Sequence, residues 1–115
     1  MPPLWLVHPE GLACGRLEDT RHAKRLIDSD GVEMLSAHLA CFAWSTPRAG
    51  AELIRAARRH AALHGLPALF TAVPEQDWPA LETELGDSER IVAPANIYGV
   101  GLRSGPAWNI NSSEI

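Results

Sequence analysis

Apolar and polar positions change period along the chain, and the changes mark its elements. Leu4-Trp5-Leu6-Val7-His8 is a short β-prone run, stopped by the turn signal Pro9-Glu10-Gly11. Leu12 then opens a mixed stretch that ends at Ile27. Residues 13–17 are small and strand-compatible, residues 18–24 are polar, and Leu26-Ile27 is apolar again. A long, partly exposed strand fits this stretch, and so does a short helix across residues 19–27. Asp28-Ser29-Asp30-Gly31 is a turn, with glycine supplying a positive φ at little cost. Residues 32–44 are the most apolar segment. In strand alternation Val32, Met34, Ser36, His38, Ala40, Phe42 and Trp44 share one face, and Glu33, Leu35, Ala37, Leu39, Cys41 and Ala43 the other. Both faces are largely apolar, which predicts a central strand covered on both sides. The alanines suit a buried helix equally well, and period alone does not separate the two.

Residues 45–50, SerThrProArgAlaGly, predict a loop, with Thr46 as helix cap and Pro47 as first helical residue. Residues 51–64 carry the clearest helical stripe, Leu53, Ile54, Ala57, Ala61 and His64. Glu52, Arg55, Arg58 and Arg59 lie mostly off that stripe. Gly65 closes the helix. A short buried strand is predicted for residues 68–73, ended by Pro74. A second helix is predicted for residues 75–85, acidic at its start and ended by Gly86. Residues 91–102 predict one strand or a hairpin, and residues 104–115 a polar tail.

Composition narrows the function classes. The 115 residues are 46% hydrophobic and 21% charged, an ordinary globular balance with material for one core. No apolar run approaches the roughly 18 residues of a membrane span. The N-terminus lacks the basic and long apolar regions of a secretory signal. A net charge of −4 argues against a phosphate-tracking nucleic-acid binder. The two cysteines, Cys14 and Cys41, form no CxxC pair and read as buried small hydrophobes in a reducing, cytoplasmic compartment. His60 and His64 have a metal-sharing spacing, but no zinc-protease pattern accompanies them, so no metal site is assigned.

The order β-β-β-α-β-α-β, with the run SerThrProArgAlaGly between the central strand and the first helix, resembles the GNAT superfamily of acyl-CoA-dependent N-acyltransferases. The resemblance covers its C-terminal two thirds, over roughly residues 4 to 102. The family's loop reads Arg/Gln-x-x-Gly-x-Gly/Ala. Here Ser45 stands in its first slot, Arg48 in its first glycine slot and Gly50 in place, while Trp44 stands where relatives often have an aromatic residue. The resemblance implies an α/β (α+β) fold with a mixed, mostly antiparallel sheet and two main helices. It implies a single domain over residues 1–103, without the family's first strand and first two helices.

It also implies a site and a chemistry. Leu39 and Ala40 would lie where the central strand splays from its neighbour and its backbone pairs with the pantetheine arm. Arg48, Ala49, Gly50 and Ala51 would cradle the pyrophosphate, and Arg55, Arg58 and Arg59 would be a solvated face or meet the 3′-phosphate. His38 would be the general base, since Met34 fills the family's glutamate slot and Glu33 is one residue off. The slot for a general-acid tyrosine holds Glu82, and the sole tyrosine is Tyr98. The implied activity is transfer from acetyl-CoA or another acyl-CoA, as co-substrate, to an unknown amine by direct attack. The Ala40 N–H would polarise the thioester carbonyl. The alternative is a non-catalytic GNAT-like module for small-molecule binding or interaction. A ferredoxin-like α/β sandwich is a third reading. A sheet without its first strand leaves an open edge near residues 4–8, which predicts a homodimer with Trp5 and strand 32–44 near the contact.

Overall fold

The computed structural model describes residues 1–22, 27–86, 90 and 92. Its strands are β1 (Leu4–Val7), β2 (Ala13–Asp19), β3 (Ser36–Trp44) and β4 (Ala68–Phe70); its helices are α1 (Pro47–Leu63) and α2 (Trp78–Leu85). They form one four-stranded sheet in the order β1-β2-β3-β4. β1–β2 and β2–β3 are antiparallel, and β3–β4 is parallel. The fold is therefore α+β with a mixed sheet, in the order β-β-β-α-β-α. The predicted last strand over residues 91–102 and the tail over 104–115 lie outside the described residues.

Antiparallel neighbours need only short turns, and Gly11 at φ +72° makes the first one. A parallel neighbour needs a crossover, which α1 provides. Thr46 caps α1 as its sequence predicts: its hydroxyl accepts from the Ala49 N–H at 3.2 Å, and Pro47 follows in the first turn. The helix thus starts at Pro47, as the cap predicts, and residues 48–50, read as part of a loop, belong to its first turn. Gly65 at φ +73° turns the chain out again toward β4.

α1 packs on all four strands and α2 packs on α1. Leu17, Leu39, Leu53, Ala57 and Leu81 meet in one buried cluster, so both helices share the sheet face that carries Leu17 and Leu39. Two glycines permit this closeness. A Cβ on Gly15 would lie 2.6 Å from Leu39 Cδ1, and one on Gly50 would lie 3.0 Å from Trp44 Cγ and 3.3 Å from Leu81 Cδ1. On the opposite face of β3, Ser36, His38 and Ala40 are also buried. The Ser36 and Thr20 hydroxyls bond there at 3.0 Å. The central strand is covered on both sides, as its composition predicts.

Four boundaries in the rest of the chain differ from the sequence pattern. β2 stops at Asp19, followed by a 3-10 turn over Thr20–His22. The buried Asp19 carboxylate ends the strand: it accepts from the Arg21 N–H at 2.9 Å and from Arg21 Nη2 at 2.6 Å, and it lies 3.7 Å from the N-terminal ammonium. The Arg21 side chain, above all, holds this carboxyl well below the usual carboxylate range. β3 begins at Ser36 rather than 32, because Asp28 closes a tight loop over its own following residues. Its side chain accepts from the N–H groups of Asp30 and Val32, both at 2.9 Å. Val32, Met34 and Leu35 are left exposed. β4 ends at Phe70 instead of 73, and α2 starts at Trp78 after a 3-10 turn over Glu75–Asp77. Among the described residues no helix is long and apolar enough to cross a membrane.

Candidate functional site: a split between the parallel strands

β3 and β4 stay together for three residue pairs only, Ser36–Ala68, Ala37–Leu69 and His38–Phe70. Beyond them β3 runs on to Trp44, while the β4 ladder has ended. The Thr71 hydroxyl donates to the Leu39 carbonyl at 2.9 Å and marks the apex of the split. On its other edge β3 is bulged. Arg16 pairs with Ala40 and Cys14 with Ala43, so the one β2 residue between those pairs, Gly15, faces two of β3, Cys41 and Phe42. Cys41, at the bulge, has φ +53° and is the one non-glycine residue with positive φ among the described residues. It is exposed, which corrects its reading as a buried small hydrophobe; the bulge turns it out of the pleat.

The predicted splay residues Leu39 and Ala40 are therefore at the place where the strands part. Their side chains are buried, Leu39 against Gly15, and the Leu39 carbonyl is taken by Thr71, so what these two residues can offer a ligand is their remaining backbone. His38 lies one residue before the split, in the fully paired part of the strand. It is 7% exposed, with Glu18 and Phe70 as its register partners.

The α1 N-terminus stands at the same end of β3, and two of its backbone donors are already engaged. Pro47 has no N–H, the Ala49 N–H is held by the Thr46 hydroxyl, and the Gly50 N–H reaches the Thr46 carbonyl at 3.0 Å. Ala49, Gly50 and Ala51 are buried. Trp44 and Leu81 crowd Gly50, so its missing Cβ serves packing. The Arg48 side chain is 81% exposed but leans back on Glu52, Nε to Oε1 at 3.2 Å.

His8 and Glu52, which the sequence pattern did not single out, complete this end. His8 Nδ1 accepts from the Glu10 N–H at 3.2 Å, which leaves Nε2 to donate to Glu52 Oε2 at 2.6 Å. This bond, first, and Arg48 second hold the Glu52 carboxyl below its ordinary value. The shallow hollow here, about 190 Å³, is lined by Arg48 and His8 but also by Glu10 and Glu52. The Arg48–Glu52 spacing is readable as a helical i,i+4 pair. His8 is 44 residues from Glu52, and nothing local announces their contact.

His60 and His64 share no metal geometry here, since His64 Nδ1 donates to the His60 carbonyl at 2.9 Å. Among the described residues no group of three His, Cys, Asp or Glu side chains is placed to hold a metal ion. No family model, curated protein or solved structure matches the chain.

Proposed function

We propose that the protein is a GNAT-like binding module whose β3–β4 split takes the pantetheine arm of an acyl-CoA. The observation that carries this reading is the split itself. A strand freed from its neighbour past His38, and bulged at Cys41, offers backbone donors and acceptors to an extended ligand. The pantetheine arm carries two amides and pairs with such an edge as a short added strand does. The engaged Ala49 and Gly50 N–H groups and the carboxylates of Glu10 and Glu52 beside them disfavour a strong pyrophosphate cradle at Arg48–Ala51. In this reading most of the binding comes from the arm.

Transfer of the acyl group to an amine is the second reading, and the bulge favours it. Bulges re-aim backbone groups beside active sites, and an N–H near Ala40 that faced the thioester oxygen would stabilise the developing oxyanion. His38 is the base in that reading, and Cys14 and Cys41 take no part, because the amine attacks the thioester carbon directly and the coenzyme leaves as thiolate.

A homodimer belongs to the same proposal. Trp5 and Val7 are 58% and 66% exposed on β1, whose outer edge has no partner among the described residues. The strand is uncharged, so pairing it with its own copy about a two-fold axis brings no like charges together.

Calorimetric titration with acetyl-CoA and with pantetheine tests the binding. Both saturate, with affinities within about tenfold of each other, a span of about 1.4 kcal/mol. Failure of both to bind would remove the proposal. Release of free CoA thiol in the presence of a panel of amines would decide for transfer.

A further inference from the structure

A second concave site lies at the other end of α1, between its last turns and the start of β4. We propose that this groove binds a small organic phosphate. Its volume is about 390 Å³, and Arg55, Arg58 and Arg59 line it together with Leu66, Pro67 and Ala68. No acidic side chain is among its lining residues.

The three arginines project from consecutive turns of one helix at spacings i,i+3 and i,i+4. Like charges at those spacings oppose one another, and the usual remedy is an interleaved acid. Here the nearest acid in sequence, Glu52, is already engaged by Arg48 and His8. Among the described residues neither Arg58 nor Arg59 has an ion-pair partner. Arg55 is fixed from one side, its Nη2 donating to the Glu84 carbonyl at 2.5 Å, which leaves its other N–H groups free to turn into the groove. Three arginines lining one hollow bring together a donor set for a group with several oxygens and more than one negative charge. A phosphomonoester meets that description, and a single carboxylate uses only one fork.

The remaining surface fixes the ligand class. Leu66, Pro67 and Ala68 give the groove an apolar wall for the organic part of the ligand, and Leu66 is itself buried. The volume lies in the range of small-molecule sites. Nucleic acid is disfavoured by the net charge of −4 over the whole chain. The groove is also distinct from the split. Ten residues separate Arg48 from Arg58, roughly 15 Å of helix. The split opens at the ends of β3 and β4 where α1 begins, whereas the groove sits where β4 starts.

Phenyl phosphate serves as probe, titrated into the full chain with amide NMR and calorimetry as readouts. The expected result is saturable binding, with shifts confined to residues 55–59 and 66–69. The double variant Arg58→Gln/Arg59→Gln is expected to keep its thermal unfolding midpoint and lose about tenfold or more in affinity. Arg58→Lys/Arg59→Lys, which keeps the charge and loses the forks, falls between. Saturating pantetheine, which carries no phosphate, leaves the affinity unchanged, so this test stands apart from that of the split. Absence of saturation, equal affinity in the folded Gln variant, or preference for a single-stranded oligonucleotide over phenyl phosphate would overturn the proposal.

Discussion

The two ends of α1 use their arginines in opposite ways. At the N-terminal end Arg48 stands where a phosphate-binding loop would place its donors, yet it closes a chain with Glu52 and His8. The backbone N–H groups beside it are taken by Thr46. At the C-terminal end Arg55, Arg58 and Arg59 border a groove without a carboxylate. A basic residue in sequence thus says little about available charge. What decides is whether a carboxylate or a cap reaches it first, and that depends on contacts as distant in sequence as His8 to Glu52.

If the N-terminal end is a packing junction, its variants fail by packing. Leu81→Ala removes a fully buried side chain that bridges α2 to Gly50 and is expected to cost about 2–5 kcal/mol. Gly50→Val drives new atoms into Trp44 and Leu81 and costs about 1–3 kcal/mol. The two couple, so the double variant loses less than the sum in urea unfolding. Pantetheine affinity in folded Gly50→Val stays unchanged. Full additivity with loss of pantetheine binding would return Gly50 to a ligand-contacting role.

Asp19 offers a second internally satisfied charge. Its carboxyl is held well below the usual range in the folded chain, chiefly by Arg21. The folded state therefore binds the proton less readily than the unfolded one. The stability this contributes is fully present above the ordinary carboxylate range and is lost as pH falls through it, from about pH 5 downward. Urea midpoints measured from about pH 6 to about pH 3 should fall for the native chain, and less steeply for Asp19→Asn. Parallel slopes would mean that other carboxylates carry the acid sensitivity.

Trp5→Lys places a charge on the open edge of β1. Sedimentation equilibrium at micromolar concentration should show a dimer for the native chain and a single species near the 12.5 kDa chain mass for the variant. A native chain already at that mass would leave β1 unpaired. The smallest effect is expected from Glu52→Gln, which frees Arg48. Phosphate binding at the N-terminal end should strengthen slightly, with the groove at Arg55–Arg59 untouched; shifts at both ends would tie the two sites together.

Local rules made much of this fold legible. The Thr46 cap, Pro47 and the glycine at 65 bracket α1, and the two apolar faces of β3 give its central place. The sequence hid what depends on side chains competing for the backbone. Asp28 takes the N–H groups of Asp30 and Val32 and so delays β3, leaving an apolar run exposed. Asp19 and Arg21 stop β2 in the same way. At the site, Leu39 and Ala40 lie where β3 and β4 part. The first turn of α1 read as an open loop, because Gly50 serves packing and phosphate approach with the same missing Cβ.

In the proposed function the freed backbone of β3, and not the α1 N-terminus, receives the ligand. Amide NMR titration with S-acetyl-pantetheine tests it most directly. Saturable shifts are expected at Leu39, Ala40, Cys41 and Thr71, with residues 48–52 little changed. Shifts confined to residues 48–52, or no saturable shift at residues 39–41, would contradict it.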